Sequence, residues 1–106
     1  MRSANVFYKG VRAGVLKQND NESFHFKYNE AWLSDDSKPS ISLTLPKSKI
    51  EFHSDSLFPF FYHLLPEGTN KRIVCKTFRL DEDDAFGILL HTSKIDTIGA
   101  VTLERN

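Results

Sequence analysis

The stretch Ser23-Phe24-His25-Phe26-Lys27-Tyr28 alternates polar and aromatic side chains without a break. Successive side chains of a strand point to opposite faces, so this period of two puts Phe24, Phe26 and Tyr28 on one side and His25 and Lys27 on the other. A strand with one aromatic and one polar face belongs to a sheet buried on one side only, the habit of antiparallel sheets. Upstream, Val6-Phe7-Tyr8 leads into a Lys9-Gly10 turn and a second strand from Val11 to Gln18, interrupted at Gly14. Asn19-Asp20-Asn21 is a turn cluster, which makes the first 28 residues a meander. Downstream, Asn29 to Leu33 is expected to form a helical turn carrying the one Trp, and Ser34 to Ser40 is loop by composition. Ile41-Ser42-Leu43-Thr44-Leu45 alternates again and reads as a strand ended by Pro46, with Lys49 to Phe52 as one more.

The pattern changes after His53. Ser54-Asp55-Ser56 offers side chains that can cap a helix, and Pro59 suits its first turn. Pro66 stops that helix near Leu64, because the residue before a proline is pushed out of the helical region. Thr69 or Asn70 then caps a second helix running through Leu80. In it Ile73, Thr77 and Leu80 share a face with Val74 and Phe78, while Lys71, Arg72, Lys76 and Arg79 point elsewhere. Asp81 to Asp84 opens a third helix with Ala85, Phe86, Leu89 and Leu90 inward, and Ile98 to Leu103 closes the chain as a strand. The predicted fold is α+β: one small domain over residues 1–106, an antiparallel meander carrying three short helices and a C-terminal strand.

Composition narrows the function. Lys plus Arg and Asp plus Glu both number 14, and the pI is about 6.9. Binding to nucleic acid is driven by counterion release from a basic surface, so no direct nucleic-acid partner is expected. No apolar run nears the length that spans a bilayer and the N-terminus has no signal-like apolar segment, which points to a cytoplasmic protein without a membrane partner. The one cysteine, Cys75, leaves no internal disulfide and no multi-cysteine zinc site.

No catalytic constellation emerges either. The sequence has no phosphate-cradling glycine loop, no His-Glu-x-x-His, no nucleophile elbow and none of the protein-kinase signatures. Catalytic, cofactor-binding and metal-binding residues are therefore all read as none. Asp81-Glu82-Asp83-Asp84 has the wrong spacing for a calcium loop and suits the positive end of a helix dipole better. His25, His53, His63 and His91 fall in different elements, Cys75 reads as a plain buried thiol, and Trp32 as core more than interface. Phe58, Phe60 and Phe61 diverge around a helix, so some of that aromatic surface is expected to point away from the main core.

One set of motifs reaches further. Phe60-Phe61-Tyr62-His63-Leu64-Leu65-Pro66-Glu67-Gly68, the Trp32-Leu33 pair, Ser42 to Pro46, Phe86 to Leu90 and Asp96-Thr97-Ile98-Gly99-Ala100-Val101 resemble, in order and spacing, the N-terminal subdomain of HipA-type protein kinase toxins. Lys94 stands where that pattern usually has glycine. The family's nucleotide, metal and catalytic residues lie beyond this subdomain, so the resemblance carries none of them here. It implies instead a role like that of the small subunit HipS of split HipBST systems. There the partner is a HipT-like kinase toxin whose targets are aminoacyl-tRNA synthetases, encoded beside a HipB-like helix-turn-helix protein that is a candidate third component. The alternative it leaves open is a non-catalytic N-terminal piece of a fused HipA-type kinase. Partner binding is assigned to the turn residues Glu67, Gly68, Thr69 and Asn70, with Phe61 and His63 as supports.

Overall fold

The structure is a computed structural model that describes residues 2–92 and 101–105. Its frame is a five-stranded sheet built from β1 (Arg2–Tyr8), β2 (Val11–Gln18), β3 (Phe24–Tyr28), β4 (Glu51–Ser54) and β5 (Val101–Arg105). The strands lie in the order β4-β3-β2-β1-β5, and every neighbouring pair is antiparallel. Lys9 (φ 50°) and Gly10 (φ 81°) both take left-handed backbone, as a two-residue hairpin matching the sheet twist requires. Gly14 does not interrupt β2. The ladder steps from Val6↔Gly14 to Phe7↔Arg12, leaving Ala13 as an extra residue, and the strand runs on through this bulge.

Among the described residues four helices accompany the sheet: α1 (Glu30–Ser34), α2 (Pro59–Tyr62), α3 (Gly68–Phe78) and α4 (Ala85–Thr92). The aromatic face of β3 is buried as its alternation dictates, with Phe24, Phe26 and Tyr28 all inside. Phe61 of α2 packs on Phe26 with ring centroids 5.8 Å apart, and Phe86 of α4 stacks on Phe24 at 5.9 Å. Each such ring contributes about 1.5–3 kcal/mol by burial, so these two contacts tie helices to sheet. Trp32 is core, as expected: it meets Tyr8 edge-on at 5.7 Å, and its indole N–H donates to the Pro39 carbonyl at 2.9 Å. The α+β architecture and the opening meander follow the sequence closely.

Several local expectations are corrected. Ile41 to Leu45 is a turn closed by a Ser42↔Leu45 bridge, not a strand. The Tyr28 hydroxyl takes up its backbone, donating to the Leu45 carbonyl and accepting the Ile41 N–H at 3.1 Å. Ile41 and Leu45 face inward, while Leu43 is 98% exposed. The strand expected over 49–52 is β4, shifted to Glu51–Ser54. Helix α2 is a single turn entered from Phe58 with Pro59 at its first position, not capped by Ser54-Asp55-Ser56. Helix α3 follows Glu67 with no side-chain cap, so neither Thr69 nor Asn70 plays that part. It ends at Phe78, where Arg79 turns left-handed (φ 56°) and the Leu80 N–H reaches back to the Cys75 carbonyl at 2.8 Å. The only buried side chain of α3 is Cys75, while Ile73 and Phe78 of the expected apolar face are exposed. Phe58 and Phe61 are buried and Phe60 packs on the core, so the outward aromatic of this segment is Tyr62. The closing strand begins at Val101; the start expected at Ile98, with Asp96 to Ala100 of the family motif and Lys94, lies outside the described residues.

Candidate functional site

The turn between α2 and α3 takes its shape from three local facts. His63 ends α2 with its N–H on the Pro59 carbonyl at 3.0 Å, and Leu64 and Leu65 continue in tight turns. Glu67 is extended (φ −122°, ψ 156°), and Gly68 reverses the chain at φ 55°. That left-handed conformation accounts for the glycine, because a Cβ there would meet open space and no clash forbids one. Leu65 anchors the turn inside the core. Glu67, Gly68, Thr69 and Asn70 are all exposed, as is His63. Phe61 is fully buried, against Phe26, Phe58 and Phe60, so its part is to hold α2 in place beneath the turn. The structure thus places five of the six sequence-assigned residues on one surface segment and the sixth beneath it.

An open groove of about 890 Å³ is reached from this region through Tyr62, and none of the assigned turn residues lines it. Phe24, Leu57 and Tyr62 line it, together with the carboxylates of Asp20, Asp55 and Asp83. Arg2 also reaches into it, but its guanidinium is engaged. It grips both oxygens of Asp84 at 2.9 and 2.7 Å, donates to Gln18, and lies 5.2 Å above the Phe86 ring. The bond from Arg2 holds the Asp84 carboxyl below the usual carboxylate range against the opposing effect of partial burial. Asp84 also accepts the Gly87 N–H at 3.1 Å, which makes it the cap of α4. Within the acidic run at 81–84, Asp84 thus caps the helix, while Asp81 receives the Asp83 N–H at 2.9 Å in the turn before it. Among the described residues the groove thus combines acidic side chains with apolar area.

Sequence reasoning missed one association. His25 and His53 were separated by element, yet β3 and β4 pair in a register that sets them opposite each other. Their rings stack at 4.4 Å and 7°, with Glu51 reaching both. Burial first, and then the adjacent His53, keep His25 below the ordinary histidine range, while Glu51 pulls the other way. The signal was present in the two alternating stretches, but only the strand register turns it into a contact. Cys75 is buried, as expected.

Residues 4–104 match the family model of the HipA N-terminal domain. The chain belongs to the HipA N-terminal domain family. Over its whole length this HipA N-terminal domain superimposes on a solved structure titled "N-terminal domain of HipA toxin", with a TM-score of 0.73, 33% identity and 93% of that chain covered. It is 38% identical over 104 residues to an uncharacterised protein of Haemophilus influenzae, spanning 98% of this chain and 92% of that one. It is also 30% identical over 89 residues to a protein of Sinorhizobium fredii named "Putative kinase Y4mE", where 84% of this chain corresponds to 21% of the longer protein. Among its described residues, no helix of this HipA N-terminal domain is long and apolar enough to cross a membrane.

Proposed function

We propose that this HipA N-terminal domain is a cytoplasmic, non-catalytic antitoxin subunit. It docks on a HipA- or HipT-like serine/threonine kinase in the place of that kinase's own N-terminal domain and neutralises it. One observation carries the reading: the same domain makes up 92% of one relative and only 21% of another that is named as a kinase. A domain used both nearly alone and as a small part of a larger protein brings with it the surface that the larger protein covers. The exposed Ile73 and Phe78 of α3 and the exposed turn Glu67–Asn70 support this, since an interface of about 1,600 Å² needs such free area with a few anchors. In this reading the turn lies toward the active-site side of the kinase. A HipB-like helix-turn-helix protein is the candidate third component, and the complex acts on translation through the kinase's synthetase targets.

The test is co-expression with a HipA- or HipT-like kinase whose reading frame lacks this domain. Co-elution of the two chains and relief of kinase-induced growth arrest are expected; separate elution with undiminished arrest overturns the proposal. The relative named as a kinase favours a second reading, in which the domain is the front piece of a fused kinase. A reading frame that continues through Asn106 into kinase sequence decides for the second; a separate neighbouring kinase frame without this domain decides for the first.

A further inference from the structure

The outer face of the sheet, opposite the core, carries a group of side chains that docking does not use. Glu51 and His53 are two apart on β4, so they project from the same face about 6.6 Å apart along the strand. His25 on β3 is the direct cross-strand partner of His53, and Lys27 is that of Glu51. The three donor groups of His25, Glu51 and His53 come within 4.8 Å of one another. One carboxylate oxygen, Glu51 Oε2, lies 3.8 Å from His25 Nε2 and 4.0 Å from His53 Nε2. His25 Nε2 is also shielded from solvent and has no hydrogen-bond partner. A buried, unpaired ring nitrogen is costly unless something meets it.

We propose that His25, Glu51 and His53 form a binding site for a borderline divalent transition ion of the Zn²⁺ class, clamping the edge strand β4 to β3. Two imidazoles and one carboxylate are the donor set such ions take, with water completing a four-coordinate shell. Bonds of about 2.0–2.2 Å in a tetrahedral shell place donors about 3.3–3.6 Å apart, so the group must contract by less than about 1.5 Å. The movement falls on the right residues. The His53 side chain is 69% exposed and that of Glu51 43%, so both can rotate, while His25 at 19% is held by packing. The rings now stack in parallel, so His53, the more exposed of the two, is the ring that must tilt for both nitrogens to face one ion. Lys27 Nζ sits 3.8 Å from the other Glu51 oxygen, Oε1, which leaves Oε2 for the metal. Two imidazole donors disfavour Mg²⁺ and Ca²⁺, which prefer all-oxygen shells.

The test is calorimetric titration of ZnCl₂ into the full chain, with histidine-ring ¹⁵N spectra on the same sample. One equivalent is expected to bind, shifting the ring signals of His25 and His53 and leaving those of His63 and His91 in place, with MgCl₂ shifting none. His53→Ala and Glu51→Gln alter exposed side chains and keep the fold, and each is expected to weaken Zn²⁺ binding about tenfold or more. Absence of saturable binding up to about 1 mM Zn²⁺, or undiminished affinity in His53→Ala, overturns the site. Ring shifts at His63 or His91 in place of His25 and His53 overturn it equally.

Discussion

At Gly14 the absence of a side chain decides how closely two strands approach. A Cβ there would lie 2.4 Å from the Lys27 carbonyl oxygen and 2.9 Å from the Phe26 ring. The first of these is backbone of the neighbouring strand, which cannot swing aside as a side chain does. Gly14→Ala is therefore expected to destabilise the domain by about 1–3 kcal/mol, a fall in Tm of roughly 5–20 °C measurable by thermal denaturation. An unchanged Tm would show that β3 relaxes freely. Asp84 is the second residue whose role can be isolated, because it both caps α4 and pairs with Arg2. Its folded pKa is depressed, so the stability it confers is complete above the ordinary carboxylate pKa and is lost as pH falls through the folded value. Arg2 is raised from an already high value, so it adds no change in the acid range. Asp84→Ala is expected to cost about 1–2 kcal/mol at neutral pH, most of it the lost cap, since the ion pair is about a third exposed and screened. Urea denaturation at pH 7 and near pH 3 checks the sign: the gap between wild type and variant should narrow in acid.

At the scale of single elements, the turn from Leu65 to Asn70 is where the proposed docking is most exposed to test. Glu67 makes no side-chain cap to α3, and Thr69 and Asn70 lie exposed in its first turn, so none of the three holds the fold. Replacing them together with Ala is expected to move stability by no more than about 0.5 kcal/mol per position while weakening neutralisation of the kinase. A melting curve and a toxicity rescue on the same triple variant give both readings, and full rescue at unchanged stability would move the contact to Ile73 and Phe78. The same elements show what was legible in the sequence. Strands β1 to β3 could be read because alternation is a local signal and their partners are adjacent in the chain. Ile41 to Leu45 alternates equally well, yet its backbone is satisfied by a single distant hydroxyl, that of Tyr28, which no window of sequence contains. The face of α3 was misjudged because the periodicity rule assumes that a helix is covered by its own domain. The turn residues were legible as exposed polar positions, whereas the pairing of His25 with His53 depends on a strand register that periodicity alone does not set.

Across the whole molecule the zero net charge conceals a separation by region. Asp20, Asp55 and Asp83 border the groove beside the sheet end, while Lys71, Arg72, Lys76 and Arg79 fall on or just after α3. Such a division steers an oppositely patterned protein surface into one orientation more than it raises affinity, which suits docking on a kinase. It also bears on nucleic acid. Helix α3 with its C-cap Arg79 offers at most four cations to phosphates, and its neighbours α2 and α4 are four and eight residues long. Non-specific affinity for nucleic acid rests on clustered cations that release counterions, and four of them beside one short helix, in a chain with 14 basic and 14 acidic residues, supply little of it. The expected result is that the purified chain alone, at up to about 10 µM in roughly 150 mM salt, does not retard operator DNA in a mobility-shift assay. Retardation appearing only when a helix-turn-helix protein is added would fit a complex in which that protein supplies the DNA contact. A shift by the isolated chain, lost on Arg72→Ala and Lys76→Ala, would make α3 a nucleic-acid surface and remove the ground for assigning it to the kinase.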